Sequence, residues 1–243
     1  MNSAAAAPFS LLAALLLALV HIMAGRLHVL GGLPRSRWLS IAGGASVAYV
    51  FLHLLPELAQ SQAALANASP DTGYLRQHAY LVALLGLVCF YGMERMVARS
   101  RPSPAHSSSP GGFWIHTGLF AAYNCMVGYL LHERLAEQGS GDLALFTLAM
   151  TLHFLVNDYG LRHHHKHQYL RIGRWLLAGA VLSGWALARL LPLGPALAAA
   201  LLAFIAGAVI LNVLKEELPA ERDSRFGAFA LGAALYALLL LAL

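Results

Sequence analysis

The chain has 243 residues, 59% of them hydrophobic and 11% charged, with a mean hydropathy of +0.64. Soluble domains average about 45–50% apolar and about 25% charged residues, so this composition excludes an ordinary soluble domain and points to a polytopic membrane protein. The net charge of +5 does not indicate nucleic acid, because Lys and Arg fall in short segments between apolar runs, where they set membrane orientation.

With about 20 apolar residues needed per span, the sequence predicts eight helices, over residues 8–29, 38–58, 79–98, 113–131, 143–161, 174–191, 195–214 and 226–243. The first lacks the basic flank of a signal peptide and is long enough to cross a bilayer, so it counts as a span. Arg26, Arg35 and Arg37 lie around the end of the first helix, Arg95, Arg99 and Arg101 around the end of the third, and Arg162, Lys166, Arg171 and Arg174 after the fifth. Acidic residues, Glu57, Asp71, Glu133, Glu137 and Asp142, dominate after the second and fourth. By the positive-inside rule the odd-numbered loops are cytoplasmic and both termini lie outside.

The stretch Ser100 to Gly112, rich in Ser, Pro and Gly, reads as a flexible cytoplasmic loop. One transmembrane domain over 1–243 is expected, made of a three-helix repeat (8–98), the loop (99–112), two central helices (113–161) and a second three-helix repeat (174–243). Cys89 and Cys125 sit inside apolar spans without a CxxC pair, so no disulfide framework or zinc ribbon is implied. Asn67-Ala68-Ser69 matches a glycosylation sequon, but the Ala/Leu/Arg-heavy composition is bacterial in character.

The repeat is visible in two helices. Gly44-Ala45 precedes Leu55-Pro56 in the second, Gly207-Ala208 precedes Leu218-Pro219 in the seventh, and the step from glycine to proline is twelve residues in both. That register pairs Tyr49 with Asn212 and His53 with Glu216. Helices second from each end run in opposite membrane directions, as an inverted-topology repeat requires.

Four helices carry polar stripes at helical spacing: Ser46, Tyr49, His53 and Glu57; His116, Tyr123 and Asn124; His153, Asn157 and Asp158; Asn212 and Glu216. Such stripes avoid lipid and are expected to face an interior or a water-filled cavity. On the fifth helix His153 and Asn157 share a face with Met150, whereas Asp158 points about 140° round, towards a neighbouring helix, a second ion or the water at the helix end. This mixture of imidazole, carboxylate and amide suits a transition-metal dication, and the absence of Cys or Met pairs argues against Cu(I). His163, His164, His165 and His167 form a short tract open to labile metal binding or to a solvated, lipid-facing role beside Arg162 and Lys166. His21, His28, His78, His106 and His132 lie singly and receive no role.

With these features the chain resembles the ZIP family of divalent metal transporters. VAYVFLHLLPEL in the second helix and FIAGAVILNVLKEELPAE from the seventh are similar to the family's glycine-to-Leu-Pro-Glu helices. The resemblance implies eight helices in a 3+2+3 arrangement, both termini outside, and a metal site built from a His-Asn-x-x-Asp-Gly motif in the fourth helix and a His-Glu-x-Pro-His-Glu motif in the fifth. Here the fourth helix reads Tyr123-Asn124-Cys125-Met126-Val127-Gly128, keeping the asparagine and glycine but not the histidine or aspartate. The fifth reads His153-Phe154-Leu155-Val156-Asn157-Asp158, keeping the leading histidine, with Asn157 and Asp158 in place of the later histidine and acid. Loss of carboxylates at Val127 and Phe154 removes charge that would neutralise a dication and narrows the path.

The first expectation is therefore a ZIP-like transporter moving a divalent cation (zinc foremost, or iron or manganese) towards the cytoplasm through a midplane site. Its metal ligands would come from His153, Asn157, Asp158, Asn124, Glu216 and His53, with the direction of transport taken from the resemblance. The ion is substrate; no organic cofactor, no nucleic acid and no enzymatic activity are expected. The setting is the bilayer of a bacterial inner membrane, with a homodimer left open. The alternative is a non-transporting protein of the same fold in which Tyr123, Asn124, Asn157 and Asp158 form a structural polar network. A third reading, a membrane-embedded metal hydrolase, rests on the i, i+4 spacing of His163 and His167 with Asp158 as third ligand.

Overall fold

The computed structural model describes residues 3–23, 35–68, 78–99, 110–137, 139–217 and 225–241. Among the described residues all regular structure is helical: α1 (Ser3–Met23), α2 (Arg35–Tyr49), α3 (Leu55–Ala68), α4 (His78–Arg99), α5 (Pro110–Glu137), α6 (Ser140–Gln168), α7 (Arg174–Leu190), α8 (Pro195–Asn212) and α9 (Phe226–Leu241). Three single π-turns, Val50–Leu54, Tyr169–Gly173 and Val213–Glu217, adjoin them. The protein is all-α among the described residues, and the described part of every stretch expected to be a span falls on a helix, residues 24–29 and 242–243 lying outside the described residues. Two stretches, Ser40–Ala66 and Pro195–Lys215, are long and apolar enough to cross a membrane, and shorter apolar helices occupy Pro8–Met23, His78–Gly92, Ser140–Leu155 and Phe226–Leu241.

Two local expectations change. The sequence suggests a break between residues 161 and 174, yet the backbone stays helical from Ser140 to Leu190 through the π-turn at Tyr169–Gly173. Polarity alone suggests that break, and His, Arg and Lys do not stop a helix as Pro does; a single interior glycine such as Gly160 is tolerated. The Ser/Pro/Gly linker is shorter than expected at its end, because α5 already begins at Pro110, a residue suited to the first turn of a helix. Residues 100–109 of that linker lie outside the described residues. The sequon is cut by the end of α3 at Ala68, with Ser69 outside the described residues.

The chain divides into two compact units, one formed by Met1–Leu27 and Tyr91–Pro192, the other by His28–Phe90 and Leu193–Leu243. The described part of the first predicted span and the sixth thus belong to one unit, together with the central pair, and the second, seventh and eighth to the other, while the third is divided between them at Phe90 and Tyr91.

In the second of these units the internal repeat becomes structural. Gly44 of α2 lies so close to α9 that a Cβ there would collide with Phe229 O and come within 2.9 Å of Ala233 N, while Gly232 of α9 meets Ile41 O. Gly207 of α8 meets α4 at Ala83 O and Leu87 N, while Gly86 of α4 meets Phe204 O. The register that pairs Gly44 with Gly207 also pairs Ile41 with Phe204, and the register that pairs Gly86 with Gly232 pairs Ala83 with Phe229 and Leu87 with Ala233. One helix contact has been built twice. Small residues that let backbones touch are what allow such close helix pairs.

The same register superposes two π-turns, Val50 on Val213 and Leu54 on Glu217. Proline lacks an N–H and its ring crowds the carbonyl four residues back, so an α-turn leading into Pro56 is strained at Leu52. Widening the turn relieves it: Leu55 N–H reaches back to Val50 O, one residue further than in an α-helix. Pro219 stands at the equivalent position after Val213–Glu217.

In the other unit, α5 and α6 form an antiparallel hairpin around Gly139, whose φ of 95° only glycine adopts without strain. Its N–H bonds back to Arg134 O at 3.3 Å to close α5, and its carbonyl accepts from Leu143 N at 3.2 Å to open α6. Arg134 Nη1 donates to Asp142 Oδ2 at 2.8 Å and lies over the Phe146 ring at 4.1 Å, clipping the two helices together. Gly139→Ala is expected to lower stability by about 1–2 kcal/mol, the cost of a left-handed residue with a side chain, read as a lower thermal midpoint; an unchanged midpoint would mean the hairpin does not depend on this turn. Gly128 of α5 meets Val181 O and Gly184 of α7 meets Cys125 O, so α5 and α7 also pack backbone to backbone. Trp185 Nε1 donates to Ser10 Oγ at 3.0 Å, fixing α1 against α7.

Candidate functional site

The α5–α6 hairpin brings Tyr123 opposite the face of α6 that carries Met150 and His153. The Tyr123 hydroxyl donates to Met150 Sδ at 3.7 Å, and its ring lies 5.8 Å from that of His153. His153 and Asn157 do share a face, and they bond to each other: Asn157 Nδ2 donates to His153 Nε2 at 2.9 Å. That ring nitrogen therefore offers its lone pair to an amide rather than to open space. Phe154 and Val127, which stand where the ZIP motifs carry acids, are both fully buried, with Phe154 edge-on to Tyr123 at 6.3 Å.

Asp158 points to a neighbouring helix, one of the directions its helical offset allowed. Its Oδ2 lies 2.8 Å from Nδ1 of His21 on α1, and both side chains are almost wholly buried. The other ring nitrogen, His21 Nε2, is 2.9 Å from Asn124 Oδ1 on α5. Asn124 in turn donates Nδ2 to the Phe120 carbonyl at 2.7 Å, which fixes its amide so that oxygen faces the histidine. Phe154 covers the imidazole, ring centroids 4.6 Å apart. Tyr169 in the π-turn donates its hydroxyl to His21 O at 3.3 Å, and burial together with the Asp158 carboxylate pushes that hydroxyl's pKa above its ordinary value.

His21 is thus the centre of the cluster, and sequence reasoning gave it no role. The signal was present: it is an ionisable residue inside the apolar run LLALVHIM, which by itself marks a functional candidate. It stands alone in its helix, with no stripe at helical spacing to mark it. The residues expected to ligate a metal, Asp158 and Asn124, are both bound to it. Because Nδ1 and Nε2 leave the ring from opposite edges, a single ion on the ring could not also reach both Asp158 and Asn124.

In the other unit the stripe of α2 and its π-turn is also ordered. Tyr49 is buried, stacks on His53 at 5.4 Å and meets Tyr236 edge-on at 6.2 Å. His53 Nε2 lies 3.9 Å from Oε2 of Glu57, whose carboxylate is buried. Asn212, the repeat partner of Tyr49, is buried, and its Nδ2 has no hydrogen-bond partner among the described residues. Glu216 falls in the π-turn Val213–Glu217, its side chain outside the described residues. The tract from His163 is helical and His167 is exposed, while the side chains of residues 163–166 lie outside the described residues.

No protein-family profile, curated protein or solved structure matches the chain.

Proposed function

We propose that this is an integral membrane protein of ZIP-like design whose central polar cluster is a closed network between helices, and which does not carry metal through that cluster. The observation that carries the reading is the use of the donor atoms. Asp158 and Asn124 are taken by His21, His153 Nε2 by Asn157, and Phe154 and Val127 fill the places of two carboxylates. The ZIP-like design itself is supported by the duplicated glycine contacts and by the π-turns at matching positions of the second and seventh helices. Eight spans, with both termini outside the cytoplasm of a bacterial inner membrane, complete the reading, which assigns no reaction to the chain.

Zinc, manganese and iron uptake into proteoliposomes tests it. Wild-type protein that keeps its cooperative thermal unfolding is expected to admit none of the three above protein-free vesicles, and His153→Ala to behave the same. Uptake of any ion that disappears in His153→Ala would overturn it.

A second reading is favoured by one specific feature. The buried Glu57 carboxylate with His53 one turn before it, 3.9 Å away, keeps a carboxylate–imidazole pair of metal-ligating type in the unit that bears the repeat. If a divalent cation is carried, uptake should fail in His53→Ala and survive in His153→Ala.

A further inference from the structure

We infer that His21 and Asp158 form a buried proton-binding site, holding one proton between Nδ1 and Oδ2. The step that requires it is the orientation of Asn124. Its Nδ2 must donate to Phe120 O, so the atom facing His21 Nε2 is an oxygen that can only accept, and Nε2 carries a hydrogen. The other ring nitrogen then faces a carboxylate oxygen at 2.8 Å. Two arrangements make that contact attractive: Nδ1–H donating to an ionised carboxylate, or a protonated carboxyl donating to bare Nδ1. Both contain one proton more than a neutral imidazole beside a carboxylate, and the proton belongs to the pair rather than to either residue.

Removing it leaves no good arrangement. With Nε2–H kept, a bare Nδ1 lone pair would face a carboxylate; with the hydrogen moved to Nδ1, a bare Nε2 would face the Asn124 oxygen. Either leaves a net negative charge buried under Phe154, where solvation is lost and the charge is costly. Among the described residues the other ionisable and charged groups near the pair are His153 and Arg162 on α6, Tyr123 on α5, Tyr169 in the π-turn and Arg174 on α7. Asp158 Oδ1 is buried and makes no hydrogen bond among the described residues, and the Tyr169 hydroxyl, which donates to His21 O at 3.3 Å and already lies beside the Asp158 carboxylate, is the donor placed to turn to it when the proton leaves. The ligand is a proton, and on its release the Tyr169 hydroxyl is the group that answers the carboxylate.

The inference rests on the reading that no metal occupies Asp158, and the test separates the two. Full-length protein with 15N-labelled histidine rings, reconstituted in lipid at about pH 8, above the ordinary imidazole range, is compared with Asp158→Asn. Asparagine keeps the shape and can donate an amide hydrogen to Nδ1, but cannot share the proton. Wild type is expected to show a strongly downfield proton bonded to or bridging one histidine Nδ1, absent in Asp158→Asn. Its absence from wild type would overturn the proton site, and so would its persistence in the variant. Should Asp158→Asn not fold, Asn124→Asp serves instead: a carboxylate at Nε2 competes for the same proton and should shift the bridging signal, and an unmoved signal would overturn the assignment. Zinc added afterwards reports on the other reading, since loss of the bridging proton to zinc would place a metal at Asp158.

Discussion

His21→Ala is expected to destabilise the protein by about 3–5 kcal/mol, the usual cost of removing one partner of a buried ionic pair, with a fall in thermal midpoint on the order of 10 °C for a chain of this size. The change removes three things together. Asp158 loses the group that balances its charge, Asn124 Oδ1 loses its donor, and Phe154 loses the ring it packs on. Tyr169 lies beside the Asp158 carboxylate, but its hydroxyl also donates to His21 O and cannot replace the imidazole. A loss of less than about 1 kcal/mol, the scale of an ordinary net hydrogen bond, would mean that the pair is hydrated and the cluster open.

Gly44→Ala and Gly207→Ala are expected to destabilise by similar amounts, about 1–3 kcal/mol or more, because a single methyl would meet a backbone carbonyl of the facing helix and a carbonyl cannot choose another rotamer. Gly118→Ala on α5 is the matched control. A Cβ there meets nothing within 4 Å, and a helical glycine replaced by alanine gains up to about 1 kcal/mol from propensity alone. The same chemical change should therefore lower the thermal midpoint at two positions and leave or raise it at the third. The equality of the first two is the sharper result, since it follows from the duplicated contact. A neutral Gly207→Ala beside a damaging Gly44→Ala would mean that the two halves of the repeat do not pack alike.

Much of this fold was legible because the physics that sets it is local. Helices follow from runs of apolar residues, and the described parts of all eight predicted stretches fall on helices. The repeat could be read from Gly44 and Gly207 because a glycine at a backbone contact and a proline after a widened turn are each hard to replace. What was not legible is pairing across helices. The offset of Asp158 from His153 left a neighbouring helix, a second ion or water as its target, and the chain alone did not choose His21 of α1. Periodicity favoured stripes over single residues, so the one histidine of α1 went unassigned although its burial in an apolar run carried the information. The continuity of α6 into α7 was missed for a different reason: charge and polarity mark where a chain leaves the lipid, not where its helix ends.

The double substitution His21→Leu with Asp158→Leu, set beside the two single changes, tests the central claim most directly. If the two residues are each other's partners, removing both takes away the buried charge along with its counter-charge, and replacing a buried pair by apolar side chains of similar volume is often neutral or stabilising. The double variant is then expected to recover most of the stability lost by either single one, measured as thermal midpoint and as midpoint in denaturant. Losses that simply add would contradict the account, because Asp158 would then be answering to something other than His21.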